Sequence, residues 1–161
     1  MFGSYIISYF TMKLEITEFE TGARPNVPQP NLEIYKHLGE EGVRQLVSDH
    51  YDLLVKSEIK FMFPPPGEAL EIAKKHSADF FVQRFGGPKH YEENRGKPML
   101  TKRHEPFPIT QEARKAWLDC YRQLLPKLDL SEELIHSYWN FLDVFSVWMV
   151  NKGDSPFTVN R

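Results

Sequence analysis

The chain has 161 residues, of which 41% are hydrophobic and 26% are charged. This length suits one domain better than two, and the composition is that of an ordinary globular protein. A net charge of −2, without a long basic run, argues against nucleic acid as a partner. No apolar run approaches the roughly 20 residues that a membrane-spanning helix needs, so no membrane span is expected.

The cysteine content and the first residues bear on location. The single cysteine, Cys120, excludes an intrachain disulfide and a cysteine-based zinc site, and it favours a reducing, cytoplasmic setting. Residues 1–11 are partly apolar, but they lack the basic leader and the cleavage site of a signal peptide, and Ser8 interrupts the apolar run. We therefore expect Met12 to be the true start, with residues 1–11 upstream of it.

The N-terminal part of the chain predicts an arm and a linker. Residues 13–20 alternate polar and apolar side chains with a period of two. A lone strand would have no partner, so we expect an extended arm. Residues 21–31 are rich in proline and contain a glycine, which is typical of a linker. We therefore divide the chain into an N-terminal extension or linker, residues 1–31, and a domain, residues 32–161.

The first half of the domain is predicted to be helical. A short helix is interrupted at residues 38–42, where two glycines occur. Residues 43–55 then carry a stripe of apolar side chains at helical spacing. The prolines at 64–66 end whatever precedes them. A further helix is predicted from about residue 68 to residue 84, ending at the Gly-Gly-Pro sequence of 86–88.

The second half predicts two more long helices. One spans about 110–125 with Thr110 as its N-cap, and the other opens at Ser131, which is followed by two acidic residues. Between residues 88 and 108 only short helical turns are expected. The sequence therefore predicts an all-α fold with four substantial helices.

The irregular segment 88–108 holds the most informative histidine. A connection of this length is uncommon in a compact domain unless it has a function. It contains His104 within the sequence KRHEPF at 102–107, and the neighbouring helices are rich in Phe, Trp and Leu. This arrangement suits a protein that presents one imidazole to a cofactor iron, as a proximal histidine does in haem proteins. A loop histidine bonded to the backbone is the alternative.

Several motifs occur in one order between residues 32 and 157. They are the helical sequence at 34–47, FMFP at 61–64, GGP at 86–88, Tyr91, RGKP at 95–98, RHEPF at 103–107, AWL at 116–118 and SPF at 155–157. In this order and spacing, the chain resembles the truncated haemoglobins, most closely their second group. The resemblance leaves residues 1–31 outside it.

This resemblance implies a globin-like two-on-two helical sandwich around haem b. His104 would be the proximal ligand of the iron. Tyr51 and Trp117 would donate hydrogen bonds to a diatomic ligand of the iron, although each could instead be an ordinary core residue. Phe63 occupies a corner position where this group often has tyrosine or histidine, which leaves Tyr51 and Trp117 as the main donors.

The resemblance also implies roles for other side chains around the pocket. They are Ala73 and Ser77 on the distal helix, and Tyr91, Arg103, His76 and Phe107 beside the cofactor. Tyr91, Arg103 and His76 would meet the haem propionates, and Ser77 would add a hydroxyl. A shifted register would instead bring His76 to the iron as a second ligand. His50 precedes Tyr51 and is expected to point away from the face that Tyr51 shares with Leu54.

Three functions remain open at this point. The first is a haem protein that binds O₂, and also NO or CO, and that converts bound oxygen by nitric oxide dioxygenation or a peroxidase-like reaction, with an unidentified reductase as partner. The second is a non-catalytic oxygen store, transporter or gas sensor. The third is a cofactor-free helical interaction domain. Both a monomer and a homodimer are compatible with the sequence.

Overall fold

A computed structural model of the chain describes residues 12–153, so the expectations for residues 1–11 and for the SPF sequence at 155–157 lie outside the described residues. Within 12–153 the secondary structure is entirely helical, with no strand. The α-helices are α1 (Glu33–Leu54), α2 (Glu68–Arg84), α3 (His90–Arg95), α4 (Leu100–His104), α5 (Gln111–Leu124) and α6 (Glu132–Val147). Short 3₁₀ turns occur at Lys60–Met62 and Leu125–Lys127. The predicted all-α class is confirmed.

The helix boundaries follow from local signals in the sequence. Gly39 has φ 67° and ψ 178°, which kinks α1 at the predicted interruption, because glycine adopts positive φ without steric cost. The Thr110 side chain accepts a hydrogen bond from Ala113 N at the start of α5. The Ser131 side chain accepts one from Leu134 N at the start of α6. Both predicted N-caps are confirmed.

Four long helices enclose an aromatic core. Helix α1 packs against α2, and it also contacts α5 and α6, which contact each other. The largest fully buried side chains are Trp139, Tyr121, Tyr138, Phe85 and Phe141. Aromatic side chains bury large areas and pack edge-on or offset, so these rings account for much of the stabilisation of the core. No helix within residues 12–153 has the length and apolar character needed to cross a bilayer.

The N-terminal arm packs on the helical domain from Met12 onward, a point that the sequence left open. Arg114 and Asp143 form a buried ion pair, with Nη2 and Oδ1 2.6 Å apart. Thr17 donates to the Asp143 carboxylate through its backbone N–H and its hydroxyl, and its carbonyl accepts from Arg114 Nη1. Trp139 Nε1 donates to the carbonyl of Glu15 at 2.8 Å. The arm is therefore fixed to α5 and α6 by polar contacts with its backbone.

The connection between α2 and α5 contains only the short helices α3 and α4, as predicted. Gly87 begins it in a tight space, where an added Cβ would lie 2.7 Å from Tyr35 and Val82. Met99 has φ 43°, an uncommon conformation for a non-glycine residue, and it turns the chain between α3 and α4.

Candidate functional site

A cavity of about 600 Å³ lies between α1, α2, α5 and the connection that contains α3 and α4. This volume is in the range of small-molecule and cofactor sites. All ten predicted site residues line it: Tyr51, Phe63, Ala73, His76, Ser77, Tyr91, Arg103, His104, Phe107 and Trp117. The fold therefore brings together side chains that are spread over 67 positions of sequence, from 51 to 117. Their individual roles remain predictions.

His104 is the last residue of α4 and is half-buried at the cavity. Its Nδ1 lies 2.7 Å from the carbonyl oxygen of Leu100. Because a carbonyl only accepts hydrogen bonds, Nδ1 carries a proton, so in the neutral imidazole the lone pair lies on Nε2. A histidine that donates through one ring nitrogen to a backbone carbonyl has the tautomer and ring orientation of a metal ligand.

Tyr91 and Arg103 hold the chain beside His104. Tyr91 is 2% exposed, and its hydroxyl lies 3.4 Å from the carbonyl of Pro98. Arg103 donates from Nε to the same carbonyl and from Nη2 to the carbonyl of Arg95. The guanidinium carbon of Arg103 lies 5.8 Å from the centre of the Tyr91 ring. These contacts fix the backbone between α3 and α4.

On the opposite side, Tyr51 on α1 faces the cavity next to Phe63. Their rings meet edge to face, with centroids 5.6 Å apart. Burial raises the pKa of the Tyr51 hydroxyl, and a side-chain hydrogen bond with Ser77 opposes this rise. The hydroxyl is therefore protonated at neutral pH and has a polar neighbour on α2.

The sequence-based expectation for His50 is wrong. The imidazole is 1% exposed and lines the cavity rather than pointing away from it. Its Nε2 lies 3.0 Å from the carbonyl of Trp117, and its ring stacks on Tyr121 with centroids 3.5 Å apart. Burial lowers the pKa of His50 to about 3, against the smaller opposing effect of the hydrogen bond to Trp117. The imidazole is therefore neutral.

A sequence signal for His50 existed in the spacing of α1. Leu46, His50 and Leu54 are separated by four residues each, and all three are buried. Residues at this spacing share one helix face, which here packs against α5. Tyr51 lies about 100° further around the helix, so one broad buried arc includes both residues. We call His50, Tyr51, Trp117 and Tyr121 the α1–α5 wall.

The rim of the cavity carries His76 and Arg95. His76 Nδ1 is buried without a hydrogen-bond partner among the described residues. Burial lowers the pKa of His76, and the charge of Arg95 lowers it further. Arg95 was not selected from the sequence as a site residue, although it opens the RGKP motif at 95–98 and lines the cavity. The rim thus offers a cation and a nitrogen that can bond to an anionic group.

The comparison with protein families decides which cofactor this cavity suits. The model of the family described as bacterial-like globin matches residues 33–151. The chain belongs to this family. Haem with iron is the cofactor of globins, which hold it by a proximal histidine. The predicted resemblance to truncated haemoglobins, the two-on-two fold class and the haem cofactor are confirmed, and the protein is a haem-binding globin.

Individual relatives place this globin in the second group of truncated haemoglobins. It is 35% identical over 122 residues to group 2 truncated hemoglobin YjbI of Bacillus subtilis, covering 75% of this chain and 90% of that protein. The solved structure of phosphate-bound Hell's gate globin IV matches with a TM-score of 0.78 and 34% identity, over 88% and 89% of the two chains. The truncated oxygen-avid haemoglobin from Bacillus subtilis matches with a TM-score of 0.64 and 31% identity, over 78% and 100%.

The residues of this globin fit haem. The cavity walls are mostly apolar, as a flat hydrophobic macrocycle requires, and they include Phe63, Ile72 and Phe107. His104 offers Nε2 to an iron, and the positive charge of Arg95 at the rim complements the negative charge of the haem propionates. Among residues 12–153 no group of three or more His, Cys, Asp or Glu side chains could hold a metal ion.

Proposed function

We propose that this globin binds molecular oxygen and other diatomic ligands reversibly, at haem iron ligated by Nε2 of His104. The observation that carries the proposal is the bond between His104 Nδ1 and the Leu100 carbonyl, because it sets the tautomer and fixes the ring in the cavity. When bound, haem supplies an iron with one coordination position for the histidine and one for a diatomic ligand.

Tyr51 and Trp117 are proposed to donate hydrogen bonds to that ligand. Both side chains line the cavity from the α1–α5 wall, and the Tyr51 hydroxyl keeps its proton because burial raises its pKa. Buried tyrosine hydroxyls and indole N–H groups normally have a partner. A polar ligand such as oxygen gains more from such donors than carbon monoxide does.

Ser77 is proposed to orient the Tyr51 hydroxyl. The side-chain hydrogen bond with Ser77 lowers the pKa of Tyr51, and we propose that Ser77 is its donor, since a serine hydroxyl can donate as well as accept. The Tyr51 proton is then free to point to another acceptor in the cavity. Phe63, beside Tyr51, supplies no polar group, so the corner position contributes packing alone.

The similarity to the oxygen-avid haemoglobin from Bacillus subtilis supports oxygen as a ligand. Hydrogen bonds of ordinary strength contribute about 0.5–1.5 kcal/mol each, so two donors would slow oxygen release by about 10- to 100-fold relative to an apolar pocket. The pocket therefore suits tight, slow oxygen binding.

Visible spectra of the ferric, ferrous and ferrous–carbon monoxide protein test the proposal. We expect a Soret band that His104→Gly alters strongly and that added imidazole restores, since free imidazole can replace the lost ligand. The matched control is His37→Gly, which removes an exposed histidine on α1. A protein without a Soret band after hemin addition, or a His104→Gly variant with the wild-type spectrum, would contradict the proposal.

Turnover of oxygen with nitric oxide needs the same donors. We propose dioxygenation of nitric oxide to nitrate as the second function, because Tyr51 and Trp117 both line the cavity and could both donate to bound oxygen. The test mixes oxygen-saturated protein with nitric oxide and measures nitrate over many equivalents, with a chemical reductant present. Nitrate limited to one equivalent, even with the reductant, would instead support a store or sensor.

A further inference from the structure

The side chain of Asn151 makes three hydrogen bonds, and all of them reach the stretch from His104, at the end of α4, to Ile109. Its Nδ2 donates to the carbonyl of His104 at 3.1 Å and to the carbonyl of Phe107 at 2.9 Å. Its Oδ1 accepts from the backbone N–H of Ile109 at 2.9 Å. One exposed side chain thus uses both donors and its acceptor on one stretch of backbone. We call residues 100–109 the His104 segment.

The His104 segment has little other support. Helix α4 has five residues and none of them is buried. An isolated helix of that length is unstable in water, so the placement of α4, and with it the His104 ring bonded to Leu100, depends on contacts from outside the helix. Upstream, Arg103 binds the carbonyls of Pro98 and Arg95. Downstream, the polar contacts come from Asn151 and from the backbone N–H of Lys152.

Asn151 is itself held in place. Its backbone N–H donates to the carbonyl of Ile109 at 2.9 Å, and the N–H of Lys152 donates to the same oxygen at 3.1 Å. Val150, the preceding residue, is 3% exposed and is part of the core. The chain after α6 is therefore a fixed support, and its contacts with Ile109 pair the two backbones.

We propose that Asn151 is a positioning residue that sets the orientation of the proximal histidine by clamping the His104 segment to the end of α6. The inference rests on the proposed ligation of iron by His104. Asn151 itself lies outside the set of residues that line the cavity, so it acts through the carbonyls of His104 and Phe107. Only an amide of this length supplies two donors and one acceptor to these three backbone groups.

Two substitutions distinguish the two bonds that Asn151 Nδ2 donates from the one that its Oδ1 accepts. Asn151→Ala removes all three side-chain bonds. Asn151→Asp keeps an acceptor for the Ile109 N–H, but it has no donor for the other two carbonyls. The matched control is Asn140→Ala, which removes an exposed asparagine from α6.

Three measurements on the haem-loaded protein report the effect of the Asn151 hydrogen bonds. They are the rate of haem transfer to excess apomyoglobin, the iron–histidine stretching band of the ferrous protein by resonance Raman, and amide hydrogen exchange at Ile109. For Asn151→Ala we expect faster exchange at Ile109, a shifted band and haem loss faster by about fivefold or more, as for losing bonds of ordinary strength. For Asn151→Asp we expect the same band shift and haem loss, with exchange at Ile109 as in the wild type.

The outcomes distinguish the two proposals. An iron–histidine band and a haem-transfer rate that stay at the wild-type values in both Asn151 variants would overturn the positioning role. If Asn151→Ala fails to fold, the band and the transfer rate of Asn151→Asp decide alone. A band that persists in His104→Gly would overturn the proposed ligation instead, and with it the role of Asn151 towards the iron.

Discussion

The two sides of the cavity are built by different means. The α1–α5 wall stands on long helices, and its side chains pack ring against ring, with His50 stacked on Tyr121 at 3.5 Å and Trp117 edge-on to Tyr121 at 4.9 Å. The His104 segment has no buried residue in its helix, and hydrogen bonds to backbone carbonyls hold it. Packing therefore fixes the α1–α5 wall, while a few hydrogen bonds fix the His104 segment.

The largest predicted difference between the two sides is in stability. Tyr121→Ala should lower the free energy of unfolding by about 3–5 kcal/mol, because it removes a fully buried ring from the centre of the wall. Phe107→Ala should lower it by less than about 1 kcal/mol, since Phe107 is 44% exposed. Urea denaturation of each variant measures both values. Equal losses of free energy of unfolding in the two variants would contradict the difference between the packed wall and the His104 segment.

Tyr121→Phe is the matched control for the wall. The Tyr121 hydroxyl is buried and has no partner among the described residues. Removing an unpaired buried hydroxyl is neutral or stabilising, so this variant should keep wild-type stability within about 1 kcal/mol. A loss as large as that of Tyr121→Ala would mean that the hydroxyl, rather than the ring, stabilises the wall.

The next largest predicted effect is the pH dependence of the free energy of unfolding that arises from His50 in the wall. Its pKa is about 3 in the folded protein against 6.5 for the free side chain. Below pH 6.5 His50 binds a proton in the unfolded chain but stays neutral in the folded protein. The contribution of His50 to the free energy of unfolding is therefore complete above pH 6.5 and is lost as the pH falls towards 3. Between pH 7.5 and pH 4.5 the wild type should lose about 2–3 kcal/mol more than His50→Phe.

Urea denaturation at the two pH values measures this difference, and other titrating groups cancel in the comparison. Phenylalanine keeps a ring to stack on Tyr121 but has no proton to accept. If the free energy of unfolding had the same pH dependence in the wild type and in His50→Phe, His50 would be readily protonated in the folded protein. Its imidazole would then not be buried away from water in the wall.

The sequence predicted the elements whose signals are local. Thr110 and Ser131 were found as N-caps because a capping side chain bonds to the backbone three residues on. His104 was found because it lies in an irregular connection of unusual length between two apolar helices, within motifs that resemble a known family. His50 was misplaced, because the argument used its nearest neighbour, Tyr51, instead of the buried face shared with Leu46 and Leu54.

The tertiary contacts of the site carried no local signal. Asn151 follows the last helix by a few residues and looks like any polar residue at a helix end. Its bonds to His104, Phe107 and Ile109 span 42 to 47 positions of sequence. The docking of the arm through Thr17 and Asp143 spans 126 positions. Such pairings depend on how the helices pack, which periodicity and capping do not specify.

A smaller effect is predicted for the two proposed hydrogen-bond donors of the wall, Tyr51 and Trp117. Tyr51→Phe and Trp117→Phe each remove a polar hydrogen and keep an aromatic ring. Each should speed oxygen dissociation by about 10-fold, the equivalent of about 1.4 kcal/mol for one hydrogen bond. Stopped-flow displacement of oxygen by carbon monoxide measures the rates. Wild-type rates in both variants would exclude Tyr51 and Trp117 as ligand donors.

The smallest predicted effect on stability is in the His104 segment, at Arg103. Arg103→Ala removes its bonds to the carbonyls of Pro98 and Arg95, which lie near the surface, so the free energy of unfolding should fall by only about 1 kcal/mol. Arg103→Lys keeps the charge, but a single ammonium does not reproduce the guanidinium fork, and we expect the same loss. If lysine restored the stability measured by urea denaturation, charge rather than the fork would support the His104 segment, and the contrast between a packed wall and a tethered segment would weaken.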